Sequence, residues 1–156
     1  MKRIDDWQVK NTMQTAIIDG EEALTYRELE ERVQERAKIL AGIPQKVILA
    51  PMSNDLDQLI NFLALIRAEK VAVPVNAGYS DQGLRDILNQ FEAPLVLTDI
   101  HTISEKAAVP LDSAEYASPS DLAFIGFTSG TTGQPKGYRR THQSWVKSFE
   151  GTNALI

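Results

Sequence analysis

Cysteine is missing from this chain, which rules out disulfides and every metal site built on thiolates. Long apolar runs are missing too. The longest apolar-rich stretch, "LINFLALI" at 59–66, is far too short to cross a bilayer, so no membrane span is expected. The amino terminus, "MKRIDDWQVK", has two basic residues with no apolar run behind them, which is not the layout of a secretory signal. No internal repeat or low-complexity tract occurs. The expectation is a cytoplasmic, globular protein. With 156 residues, 43% hydrophobic and 24% charged, the chain has the bulk for one domain with a real core.

Positive charge is scarce over most of the chain and concentrated at one end. The net charge is −5, yet from Lys136 onward four cations (Lys136, Arg139, Arg140 and Lys147) face a single acid, Glu150. An acidic body argues against general nucleic-acid binding. A local basic cluster suits a small polyanion.

The periodicity divides the chain into four stretches: 1–44, 45–99, 100–121 and 122–156. In the first, "TAIIDGEEALTY" reads as a short hairpin about an Asp19-Gly20 turn. A helix follows, opened by a capping box between Thr25 and Glu28, with Leu29, Val33, Ala37 and Leu40 on one face and Gly42 placed to end it. The second stretch alternates strand, helix, strand, helix, strand. "KVILA" runs up to Pro51. Leu56, Leu59, Ile60, Leu63 and Ile66 have helical spacing. "VAVPVN" is a strand in which Pro74 predicts an edge or a break. A helix then opens at Ser80 and turns Leu84, Ile87, Leu88 and Phe91 inward, and "LVLTD" is the third strand. This βαβαβ order predicts an α/β fold with a parallel sheet, flanking helices and right-handed crossovers. Residues 100–121 read as an irregular connection. In the last stretch "LAFIGF" resumes as a strand, and "THQSWVKSFEG" reads as a helix with Thr141 as its N-cap.

Between them lies "FTSGTTGQPKG", residues 127–137. Glycine admits positive φ, so successive backbone N–H groups near Gly130 and Gly133 can point into one concavity. Thr128, Ser129, Thr131 and Thr132 add hydroxyls, Lys136 adds a point charge, and Pro135 fixes the backbone before it. Such a loop is a seat for phosphates. It is neither the nucleotide-triphosphatase pattern, which needs Gly-Lys-Ser/Thr after a four-residue gap, nor the dinucleotide pattern G-x-G-x-x-G.

The string "TSGTTGQPKG" (128–137) resembles the signature of the adenylate-forming, AMP-binding enzymes: acyl-CoA synthetases, luciferases and the adenylation domains of peptide synthetases. The strand "SDLAFIGF" before it, "THQSW" after it, "LTYRELEERV", "LALIRAEKVAVPVN" and "LVLTD" are similar to that family in the same order. The resemblance thus covers nearly the whole chain. It implies the N-terminal part of the large domain of an enzyme that activates a carboxylate with ATP and Mg²⁺. The acyl group then passes to a thiol, coenzyme A or a carrier protein. Carried onto this sequence, Thr128, Ser129, Gly130, Thr131, Thr132, Gly133 and Lys136 would hold the β- and γ-phosphates and the leaving pyrophosphate, with Thr128 also near Mg²⁺. His142 matches a position that lines the acyl pocket in some relatives; a surface or helix-capping role is the alternative.

Two departures stand out. The family has glycine where this chain reads Glu69-Lys70, and an apolar residue where it reads Tyr138-Arg139-Arg140. The family's later ribose-binding aspartate, hinge and catalytic lysine are not among these residues. Lys46 and Lys70 sit at strand starts and are expected to be solvated. The expected activity of a parent protein is therefore acid–thiol ligation to coenzyme A, a fatty or other acyl acid being preferred as substrate, while the 156 residues alone are expected to be inactive. The alternatives are part of an amino-acid adenylation domain, a non-catalytic nucleotide- or pyrophosphate-binding module, and an inert remnant that self-associates through exposed surfaces.

Overall fold

The structure is a computed structural model that describes residues 12–52, 55–76, 78, 80, 82–83, 86–87, 89, 95–99, 102–104, 122–128 and 136–153. The hairpin expected at Asp19-Gly20 is present. Strands β1 (Thr15–Asp19) and β2 (Glu22–Thr25) pair antiparallel with Asp19 opposite Glu22. Gly20 takes φ 60°, which an L side chain disfavours.

Helix α1 (Tyr26–Ala41) opens with the predicted capping box. The Glu28 N–H donates to Thr25 Oγ1 at 3.2 Å, and the Thr25 N–H donates to Glu28 Oε2 at 2.8 Å. Leu29, Val33, Ala37 and Leu40 are buried, as their spacing requires. Gly42 does close the helix, but in right-handed conformation (φ −72°) rather than as a left-handed cap.

Helix α2 (Leu56–Arg67) is capped by Asp55, whose carboxylate accepts from the Asp57 N–H at 2.8 Å. Its buried arc is wider than a single amphipathic stripe and takes in Leu56, Ile60, Ala64, Leu65 and Ile66. The reason is packing on two sides: α2 lies between α1 and the sheet, in one core cluster with Val33, Leu40, Ile48 and Phe124. Arg36 reaches from α1 to the Asp57 carboxylate at 2.6 Å and to Asn61 Oδ1 at 2.8 Å, and Arg67 returns to Glu30 at 2.9 Å.

Six strands form the main sheet: β3 (Val47–Met52), β4 (Val71–Asn76), β5 (Leu95–Asp99), β6 (Thr102–Ser104), β7 (Leu122–Thr128) and β8 (Lys136–Thr141), in the spatial order β6-β5-β3-β4-β7-β8. The inner four run parallel, and the two outer strands are antiparallel to their neighbours. Strands β3, β4 and β7 are apolar on both faces. Ile48, Ala50, Ala72 and Phe124 face α2, while Leu49, Val73, Val75 and Ile125 pack with Ile87 on the other side. Ile87 belongs to a helical segment described at 82–83, 86–87 and 89, opened by Ser80, whose hydroxyl accepts from the Gly83 N–H at 3.2 Å. Leu84, Leu88 and Phe91 lie outside the described residues. Helices on both faces of a largely parallel sheet are the α/β architecture the sequence predicts.

Four expectations need correction. Pro74 lies in a central strand, not an edge. The Val71 N–H donates to Lys46 O at 2.7 Å, so along β4 the odd-numbered N–H groups face β3 and the Pro74 nitrogen faces β7, beyond the Ala72–Phe124 pair. The missing donor therefore removes no bond to β3. Residues 102–104, inside the stretch read as irregular, form edge strand β6. A strand, β8, intervenes between the glycine loop and the last helix. Lys46 is exposed as expected, but Lys70 is buried, 6% exposed, and its ammonium donates to Ile43 O at 2.5 Å.

The turn before β4 keeps a glycine-like geometry without glycine. Glu69 takes φ 59°, its N–H donates to Ile66 O at 3.1 Å, and the Lys70 N–H donates to Leu65 O at 2.9 Å. These bonds form the Schellman closure of α2, and the left-handed glutamate within it costs about 1 kcal/mol.

Burial, with repulsion from Lys46 added, holds the Lys70 pKa below its ordinary value of 10.5. The unfolded chain thus binds this proton more tightly than the folded one. The Lys70 contribution to stability is smallest at low pH and grows as pH climbs through the depressed folded value towards 10.5. Urea midpoints taken from neutral pH to 10.5 should rise for the wild type relative to Lys70→Met, which does not titrate; parallel curves would contradict the burial of a charged ammonium.

Candidate functional site

The carboxyl ends of the parallel strands lie along one rim. Met52 of β3 pairs with Asn76 of β4, and the Ala72–Phe124 register brings the end of β7 to the same level. Open α/β sheets bind ligands at this rim. The glycine/hydroxyl loop leaves from it, at the end of β7.

Two of the predicted phosphate-holding residues frame the loop. Thr128 closes β7, Lys136 opens β8, and the two are cross-strand partners. Ser129, Gly130, Thr131, Thr132 and Gly133 lie outside the described residues. The loop is therefore the connection of an antiparallel hairpin, with its mouth set by the register Thr128–Lys136, Phe127–Gly137, Gly126–Tyr138 and Ile125–Arg139. Lys136 is exposed at that mouth.

The other cations of the basic cluster are placed differently. Arg140 lies 5.5 Å over the Trp145 ring and donates to Ser144 O at 3.3 Å and to Ser148 Oγ. It binds β8 to helix α3 (His142–Asn153) instead of reaching outward for a ligand. Lys147 is exposed on α3. Thr141 caps α3 as predicted, its Oγ1 accepting from the Ser144 N–H at 3.1 Å. His142, the first residue of α3, is only 3% exposed, which excludes the surface role considered for it.

Trp145 lies 4.5 Å from Phe124 in an edge-to-face contact, and Phe124 meets Phe62 at 5.8 Å. The aromatic cluster seats α3 and α2 on the same strand, β7, from which the loop departs.

An apolar cavity of about 310 Å³ opens near Met52, lined also by Ile17, Ile18 and Leu59 with Asp19 and Asp55. Both carboxylates are occupied at the start of α2: Asp55 caps it, and Asp19 accepts from the Leu56 N–H at 3.3 Å. Among the described residues no three His, Asp or Glu side chains gather as a metal site. No helix among them is long and apolar enough to cross a membrane.

The sequence matches the family described as AMP-binding enzyme over residues 4–155. The chain belongs to this family. It is 30% identical over 163 residues to tyrocidine synthase 3 of Brevibacillus parabrevis, covering 90% of this chain and 2% of that protein. It is 29% identical over 174 residues to the polyketide synthase–nonribosomal peptide synthetase hybrid himA of Aspergillus japonicus, covering 99% of this chain and 4% of that protein. A solved structure of an E. coli MenE variant with bound OSB-AMS superposes with a TM-score of 0.70 at 25% identity, over 93% of this chain and 35% of that one. The chain thus spans a few per cent of these synthetases and about a third of the solved enzyme. The fold of this AMP-binding chain is that of the N-terminal portion of an adenylate-forming enzyme, as the resemblance implies.

Sequence reasoning missed the role of β8 in framing the site, because "KGYRRT" has no apolar alternation and its strand state comes from pairing with β7. Because Arg140 serves α3, Arg140→Ala should lower the unfolding free energy by about 1 kcal/mol and perturb the Trp145 fluorescence. Pyrophosphate affinity should stay unchanged; a loss of affinity at full stability would reassign Arg140 to the ligand.

Proposed function

We propose that this chain is part of an amino-acid adenylation domain of the peptide-synthetase type. In the proposed reaction an amino-acid carboxylate attacks the α-phosphorus of ATP. The aminoacyl-adenylate forms and pyrophosphate leaves. The observation that carries the reading is the run of peptide synthetases among the relatives, including tyrocidine synthase 3 at 30% identity over 90% of the chain. This favours the amino-acid alternative over the fatty-acid and coenzyme A reading first drawn from the signature. The thiol acceptor is then a carrier protein.

The work assigned to these residues is electrostatic. Loop 128–136 holds the β- and γ-phosphates, and Lys136 neutralises charge that grows on the leaving pyrophosphate. Loop amides need no proton transfer to do this, and the Thr128–Lys136 register sets the distance between the loop's two ends. Mg²⁺ would come with ATP and supply charge neutralisation to the phosphates, with Thr128 as the proposed ligand from this chain. Residues for the adenine, the ribose and the amino-acid side chain are assigned to sequence beyond these.

The test has two parts. In the full-length protein to which the chain is proposed to belong, labelled pyrophosphate should exchange into ATP with one or a few amino acids and not with fatty acids. Exchange driven by a fatty acid would return the reading to acyl-CoA synthesis. In this chain, Lys136→Ala should weaken ATP and pyrophosphate binding by about tenfold or more while leaving the fold intact, since one charge-assisted contact is lost. Equal affinity in a calorimetric titration would remove Lys136 from the site.

A further inference from the structure

Strand β7 contains one glycine, Gly126, and the residue facing it across the hairpin is Tyr138. The Tyr138 ring lies flat across the space a side chain at 126 would fill. A Cβ built on Gly126 would meet Tyr138 Cζ and Oη at 2.5 Å and Cε1 at 2.9 Å. The ring also stands edge-on to Phe124, at 6.3 Å and 77°. Phe124, Gly126, Tyr138 and Arg140 thus share one face of the hairpin, and Lys136, two residues before Tyr138, belongs to the same face of β8.

This arrangement admits one register. A slip of one residue would set Tyr138 opposite Ile125 or Phe127 and turn every side chain of β8 to the other face. A slip of two would set it opposite Phe124 or Thr128, both of which carry a Cβ where the ring must lie. Only glycine leaves the slot open. The rest of β8, with the sequence "KGYRRT", has no apolar alternation of its own to fix the pairing.

We infer that Tyr138, seated over Gly126, is the positioning residue that fixes the β7–β8 register and so holds Lys136 opposite Thr128 at the mouth of the phosphate loop. Tyr138 touches no phosphate itself; it acts through Lys136. The inference rests on the phosphate-holding reading of the loop.

Calorimetric titration of this chain with inorganic pyrophosphate, alongside urea unfolding, tests it. Tyr138→Val should bind about fivefold more weakly or worse, Tyr138→Phe should stay within about twofold of wild type, and Gly126→Val with Tyr138→Val should recover affinity by restoring a matched pair. Phe149→Ala, which removes an exposed ring in edge-to-face contact with Trp145 at 5.9 Å, should lower stability without changing affinity. That variant separates positioning from general loosening. If Tyr138→Val does not fold, the double variant against wild type carries the test: affinity near wild type supports the pair, and loss with a folded chain contradicts it. Wild-type binding that Tyr138→Val leaves unchanged overturns this inference alone. Absence of pyrophosphate binding by the wild type overturns the loop reading and this inference with it.

Discussion

Antiparallel pairing of β7 with β8 fixes both ends of the glycine/hydroxyl loop, and the placement of the site follows from it. β7 is doubly bound: it is parallel to β4 on one side and antiparallel to β8 on the other, with Ala123, Phe124 and Ile125 buried. A strand this constrained is a rigid departure point. Among the described strands β8 pairs with β7 alone; Tyr138 lies over Gly126 within that pair, while Arg140 over Trp145 ties α3 to the strand. Preorganisation of an anion seat is worth most where loop ends cannot drift, because the ordering entropy is then met by the fold and not by the ligand.

Two cations of the basic cluster, Lys136 and Arg140, lie towards opposite ends of β8. Arg140 lies near the end of β8 that adjoins α3 and is anchored there by the indole and two hydroxyl-bearing residues of the helix. Lys136 lies at the other end, exposed beside the loop. A guanidinium is suited to stacking on an aromatic face, and an ammonium to acting as a point charge on phosphate. Lys70 is a third case. It is buried on the far side of the sheet from the loop rim, tying the start of β4 to the chain after α1 through Ile43 O, and takes no part in the site.

Much of this was legible in the residues. The capping box at Thr25 and Glu28, the 3.6-residue stripe of α1 and the two-faced apolar strands follow from local rules that packing did not override. The proposal that the loop is a phosphate seat rests on its order of glycines, hydroxyls, proline and lysine, which is read from the sequence alone. Strand β8 was not: "KGYRRT" carries one large apolar side chain, and its strand state comes from pairing with β7 and not from its own pattern. The centrality of β4 was hidden by Pro74, whose lost donor matters only once the neighbours on each side are known. The burial of Lys70 was hidden for a similar reason, since a carbonyl from a distant turn receives its ammonium. The substrate class was the least legible, because within this sequence His142 was the one residue proposed to line the acyl pocket.

The central claim is that loop 128–136 is where phosphate binds. Amide spectra of the isotopically labelled chain, recorded through a titration with inorganic pyrophosphate, address it most directly. The account predicts saturable shifts concentrated between Thr128 and Gly137, with residues of α1 and β1 unmoved. Shifts confined to the Met52 cavity or spread over α3, with the loop amides silent, would contradict it.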